Sequence, residues 1–155
     1  MEIERLKNIF RKHVEKYNTN DTNIVMKLEH SYRVMDLSIL LAKYNKLNNR
    51  DLEIATLVGL LHDYARFEQW TKFATYNDKE SIDHGELAIE RLFDDNEILD
   101  YCDNIDYYDE IYDAIKYHNK YSYPNYLSEE NKLFCKIIRD ADRLDIFYLL
   151  GTNKD

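Results

Sequence analysis

Hydrophobic positions recur at three- and four-residue intervals along most of the chain, the spacing of one face of a helix. Ile3, Leu6, Ile9, Phe10 and Val14 form one such stripe and predict a first helix over roughly residues 2–17. The polar run from Tyr17 to Asn23 reads as a loop, with Asp21 or Thr22 placed to cap the next helix. That helix is expected from about Ile24 to Tyr44, with Met26, Val34, Leu37, Leu40 and Leu41 facing inward, and Asn48 and Asn49 break the pattern. A third helix begins near Asp51 with Leu52, Ile54, Ala55, Val58, Leu60 and Leu61. It is apolar nearly all round and is expected in the centre of the fold.

Residues 66–81 read as a loop or short turns, followed by a helix from about Ile82 to Phe93. Another is expected around Asp106 to His118, then an irregular connection from Asn119 to Leu127 containing the single proline. Ser128 followed by Glu129 and Glu130 looks like a helix start, a hydroxyl cap with acids in the first turn. The last helix carries Leu133, Phe134, Ile137, Ile138, Ala141, Leu144 and Phe147, and the chain ends at Gly151–Asp155. There is no internal repeat and no low-complexity tract.

The 155 residues fit one domain, and 45% hydrophobic with 33% charged residues fits a soluble globular protein. Three glycines and one proline are too few for the frequent turns of a β-sandwich or barrel. The expectation is therefore an all-α, single-domain bundle of about six or seven helices spanning residues 1–155. Thirty acidic against 21 basic residues give a formal charge of -9. From Leu92 to Ile115 there are nine carboxylates and no Lys or Arg, a stretch best read as a solvated face. A nucleic-acid polymer is not an expected partner. Cys102 and Cys135 form no CxxC pair, which points to reduced thiols in a cytoplasm. No signal peptide is visible at the start, and the longest apolar run, Leu57 to Leu61, is far short of a membrane span.

Five histidines punctuate the helical pattern. His13, between Lys12 and Val14, is expected in solvent. His30, His62, His84 and His118 lie on separate predicted helices or helix ends. The buried run before His62 drives straight into the pair His62-Asp63, and Asp140, Asp142 and Asp145 interrupt the apolar stripe of the last helix. Buried ionisable groups are costly unless paired or bound to a metal. Polar ligands arriving from several helices are the usual geometry of a metal centre in an all-α protein. Imidazole and carboxylate donors suit iron, manganese, nickel or zinc. An aspartate at a helix end can bridge two ions through its two oxygens.

These residues resemble the HD-domain superfamily of metal-dependent phosphohydrolases, through His30, then His62-Asp63, then Asp142. Glu29-His30-Ser31-Tyr32-Arg33-Val34, Gly59-Leu60-Leu61-His62-Asp63 and Ala141-Asp142-Arg143-Leu144 are similar to the family's segments around those ligands, over about residues 24–150. His84 and His118 occupy the places of the two extra ligands of dinuclear members. The resemblance implies two divalent metal ions, one held by His30, His62, Asp63 and Asp142, the other by His84 and His118, with Asp63 bridging. It prefers Asp142 over Asp140 and Asp145, leaving Asp145 as a supporting partner. It implies attack of a metal-bridging hydroxide on a phosphate ester or anhydride, in a nucleotide or nucleotide-like small molecule. Asp63 and Arg66 are then the catalytic candidates, and Arg33, Arg66, Gln69 and Lys72 the substrate-binding ones. Trp70 or Phe67 could stack on a base, whereas Arg143 is expected to turn away into a salt bridge. Most of the eight tyrosines between Tyr101 and Tyr126 read as packing.

Two other functions share these residues. A diiron oxygenase can use the same ligand set, and a nucleotide-binding module can keep the fold without catalysis. Relatives often continue beyond the Asp-bearing helix. The last helix is therefore expected either to pack against a second copy, as a homo-oligomer, or to belong to a longer chain. No glycine-rich phosphate loop, G-x-S-x-G motif or paired nucleophilic cysteine is present.

Overall fold

The computed structural model describes residues 2–152, with side chains described through Tyr148, so the Gly151–Asp155 end lies outside the side chains described. Among the described residues seven α-helices follow one another: α1 Ile3–Val14, α2 Thr22–Tyr44, α3 Asn49–Leu61, α4 Arg66–Phe73, α5 His84–Ile89, α6 Tyr108–Tyr117 and α7 Glu129–Thr152. Among the described residues there is no strand, and no helix is long and apolar enough to cross a membrane.

α3 is the centre, and Ile54 through Leu61 are all buried. α2 and α7 pack on it, α6 lies against α3 and α7, and α5 packs on α6. The close pairing of α2 with α3 depends on Gly59. A Cβ there would lie 2.7 Å from Ser38 Oγ and 2.9 Å from the Met35 Cα, so any larger residue would push the two helices apart. That pairing also sets the distance between His30 on α2 and His62 at the end of α3. Each buried Leu, Ile or Phe of this core contributes roughly 1.5–3 kcal/mol.

Helix starts follow the polar residues beside them. Asp21 accepts from the Asn23 N–H, Asn48 from Asp51, Asp83 from Gly85 and Glu86, and Ser128 from Asn131. Asp83 therefore starts α5 at His84 rather than at Ile82, and the segment ends as a π turn over Glu90–Asp94.

Three expectations about the helices are corrected. Residues 66–73 form α4 rather than loop, because Phe67 and Gln69 are buried under it and Glu68 ties Lys72 and Arg91 together. A buried glutamine hides that helix from a search for apolar periodicity. Met26 and Leu40 face outward (41% and 61% exposed). The covered face of α2 instead runs through Ile24, His30, Ser31, Val34, Met35, Ser38 and Ala42, whose small members admit close helix contact. On α7 the buried stripe stops short of Leu144 and Phe147, both exposed.

The acidic stretch is largely solvated, with Asp94, Asp95, Asp100, Asp103, Asp106 and Asp109 exposed. Glu110 is the exception; it is buried and takes a hydrogen bond from Arg50 at 2.8 Å.

Candidate metal centre

The side chains of His30, His62, Asp63, His84 and His118, spread along the sequence, are buried together. α2 carries His30, the end of α3 delivers His62 and Asp63, α5 opens with His84, and His118 caps α6. Asp142 of α7 is the partly exposed member, with 30% of its side chain in solvent.

The Asp63 carboxylate lies between two groups. Its Oδ2 is 3.3 Å from His30 Nε2 and 3.4 Å from His62 Nε2. Its Oδ1 is 3.3 Å from His84 Nε2 and 3.5 Å from His118 Nε2. Asp142 Oδ1 closes the first group, 3.0 Å from His30 Nε2 and 3.5 Å from His62 Nε2. Within the groups the imidazoles approach each other, His30 Nε2 to His62 Nε2 at 3.2 Å and His84 Nε2 to His118 Nε2 at 2.9 Å.

What faces the other ring nitrogens decides how these contacts are read. His30 Nδ1 is 2.6 Å from Asp145 Oδ2 and His84 Nδ1 is 2.8 Å from Asp78 Oδ2. His62 Nδ1 is 2.8 Å from the Gly59 carbonyl and His118 Nδ1 is 2.6 Å from the Ile115 carbonyl. Each of those oxygens accepts, so each Nδ1 carries its proton, and Nε2 is the ring atom left to take a cation. Four such nitrogens aimed at one another and at a carboxylate call for positive charge among them, a proton or a metal ion. Donors around a metal at about 2.1 Å are separated by about 3.0–3.4 Å, close to the spacings here. The residues fit a metal, and two groups of three donors sharing Asp63 could each hold one ion. The donor set, imidazole and carboxylate with no thiolate, suits iron, manganese, nickel or zinc.

The electrostatics differ between the groups. Burial works against charge on His30 and His62, but Asp63 and Asp142 outweigh it and raise both imidazoles above the ordinary value. Burial likewise opposes ionisation of Asp63, yet the His62 charge and Lys27 hold it well below the usual carboxylate range. Burial dominates at His118 and lowers it to about 4, Asp63 offsetting only part of the effect.

Lys27 and Asp78 are the residues that sequence reasoning misses. Lys27 Nζ lies 3.4 Å from Asp63 Oδ2, and its position three residues before His30 on one helix face was a readable signal. Asp78 has no such signal. It sits in a short 3₁₀ turn, where it receives His84, Gln69 (2.9 Å), Asn119 (2.9 Å) and Arg66 (3.2 Å).

The expected substrate residues are distributed differently from the prediction. Arg66 remains at the centre, with Nε 3.6 Å from Asp63 Oδ1 and Nη1 held by Gln69 Oε1 and the Tyr76 carbonyl. Arg33 turns one edge of its guanidinium to Asp145, donating through Nε at 2.7 Å and Nη2 at 3.3 Å. Gln69 is fully buried and its amide is spent on Arg66, Asp78, Ser81 and Ile82. Lys72 turns to solvent and pairs with Glu68 at 2.8 Å. Phe67 is core, and Trp70 donates to Asp21 at 2.8 Å.

His13 is not in solvent. Its ring stacks on Tyr64 at 4.1 Å, with 11% of the side chain exposed. Among the tyrosines, Tyr101 is buried, Tyr107, Tyr108 and Tyr112 pack on the core, and Tyr121 and Tyr126 are exposed.

A cleft of about 360 Å³ opens beside the centre, lined by His118, Asp142, Lys120, Tyr121, Arg139, Arg143 and Ile146. Arg143 is thus at a cleft wall rather than turned away, and it makes no ion pair among the described residues.

The family model described as HD domain matches residues 28–146, a span holding His30, His62, Asp63, His84, His118 and Asp142. Comparison with curated proteins and with solved structures gives no match. With that match over most of its length and an all-α bundle around the His–Asp cluster, the chain belongs to the HD-domain family.

Proposed function

We propose that this chain is a metal-dependent phosphohydrolase acting on a phosphate ester or anhydride in a nucleotide or nucleotide-like small molecule. The observation that carries the reading is the convergence of four Nε2 atoms on the two oxygens of the buried Asp63. In this reading His30, His62, Asp63 and Asp142 hold one divalent ion, and Asp63, His84 and His118 hold a second. Two such ions supply an activated water as nucleophile and a positive counterpart for the phosphoryl oxygens.

The chain's own groups prepare that chemistry. Asp145, Asp78 and the Gly59 and Ile115 carbonyls keep the Nδ1 protons in place, so the Nε2 atoms need no tautomer change to bind. Lys27 and Arg66 flank Asp63 on its two oxygens and put fixed positive charge beside the shared carboxylate. Arg66 is braced by Gln69, Tyr76 and Asp78, which limits it to electrostatic support from a set position. Asp142 faces the cleft and marks the side from which substrate approaches. Lys120, Arg139 and Arg143 line that cleft in a chain of net charge -9, which supports an anionic substrate. The cleft volume suits a small molecule, not a polymer.

Metal analysis followed by a phosphate-release screen over a nucleotide panel tests this reading. Two divalent ions per chain and metal-dependent phosphate release are expected, with Asp63→Ala losing both the ions and the activity. Two irons with dioxygen consumption and no phosphate release would replace the hydrolase with an oxygenase. An active, metal-replete Asp63→Ala protein would remove the site altogether.

A further inference from the structure

The cleft beside His118 and Asp142 has three cationic walls, and their hydrogen bonds separate them. Lys120 is paired with Asp83 and also reaches Asn119. Arg139 donates to the main-chain carbonyls of Tyr117 and Tyr121 and lies over the Tyr123 ring, so it holds the 117–123 segment together. Arg143 is exposed and has neither a hydrogen bond nor an ion pair among the described residues. It follows Asp142 on α7, which puts a guanidinium at the cleft wall next to the one partly exposed acid of the centre.

Among the described residues this guanidinium has no carboxylate partner, although Asp142 lines the same cleft. We propose that Arg143 recognises a second phosphate of the substrate, beyond the one that is attacked. The substrate is then a diphosphate or bisphosphate, not a simple monoester. This rests on the phosphohydrolase reading and adds the substrate class. A planar guanidinium fork matches the tetrahedral oxygens of a terminal phosphate in a two-point contact that an ammonium cannot make. Tyr121, fully exposed, and Ile146 give the same cleft an apolar side on which a ring can rest. A phosphate reached by Arg143 and a ring on Tyr121 would occupy the cleft together, while Asp142 and His118 border the reacting end.

Titration calorimetry on metal-loaded protein tests this with two probes, α,β-methylene-ADP and AMP, which differ in the distal phosphonate. The wild type is expected to bind the first at least about tenfold more tightly. Arg143→Gln should weaken the first about tenfold and the second less than twofold, and Arg143→Lys should recover part of the loss. Metal content and melting temperature, measured alongside, should stay at wild-type values because Arg143 is exposed. Equal binding of the two probes by metal-replete wild type, or equal weakening of both by Arg143→Gln, overturns the role of Arg143 and leaves the phosphohydrolase reading standing. A wild type that binds two metals and neither probe overturns both.

Discussion

The His30–His62 group stands on long helices, and the His84–His118 group stands on a six-residue helix and the end of a ten-residue one. Both use the same device, an oxygen accepting from each Nδ1. The supporting material differs. In the first group Asp145 sits in the rigid α2–α7 contact, clamped by Arg33. In the second, Asp78 comes from a short 3₁₀ turn and is positioned by Gln69 and Arg66 of α4 and by Asn119 after α6. Their charges differ too. At Nε2 the first pair of imidazoles faces two carboxylates, Asp63 and Asp142, while the second faces the shared Asp63. That explains why His62 is raised and His118 is lowered, although both are buried. The same fold thus offers one strongly anionic site and one weaker site beside it.

Ligand removal is the largest test of that contrast. His84→Ala should leave one divalent ion per chain after dialysis, retained by the first group. His30→Ala should weaken the tighter site and leave the protein with less than one ion, with activity lost in both variants. Metal counting by mass spectrometry checks this, and the reverse order of retention would show that the second group is the stronger.

Changing the supporting carboxylates should act one level down. Asp145→Asn and Asp78→Asn each remove the charge behind one imidazole and should lower metal affinity about 10–100-fold. Asp145→Asn should act on the tighter binding step and Asp78→Asn on the weaker one. A competitive chelator titration resolves the two steps. Equal effects of both variants on both steps would mean that the groups are not separate sites.

The smallest effect belongs to a histidine outside both groups. Burial, aided by the Lys16 charge, lowers His13 to about 4 from an ordinary value near 6.5. Between those values the unfolded chain binds a proton that the folded chain refuses. Stability therefore falls as pH drops through that window, by up to about 3 kcal/mol. In His13→Gln the fall in melting temperature from pH 6.5 to pH 4 should be shallower, with metal content unchanged at neutral pH. An identical slope would show that His13 does not titrate as its burial requires.

Much of the centre was legible because its ligands break an apolar pattern. A helix that is hydrophobic on all sides and ends in His62-Asp63 has no cheap alternative to a buried ionic site. Gln69 and Arg33 illustrate the limit. Both stand at the spacing of a ligand-facing residue, yet one is buried and the other is clamped to Asp145, and each bonds to neighbours from another segment. α4 was missed for a related reason, since a glutamine on its covered face carries no hydrophobic signal.

The sequence by itself determined the all-α class, the central place of α3 and the set of His and Asp residues able to share a cation. These follow from local periodicity, composition and the cost of burying charge. Only the tertiary structure decided that Asp78 stands behind His84. It alone brought Lys27 to the centre, and it alone set Arg143 at the cleft with no ion pair among the described residues. Those facts depend on which oxygens and nitrogens meet across segments dozens of residues apart, and a contact between distant side chains leaves no periodic trace along the chain.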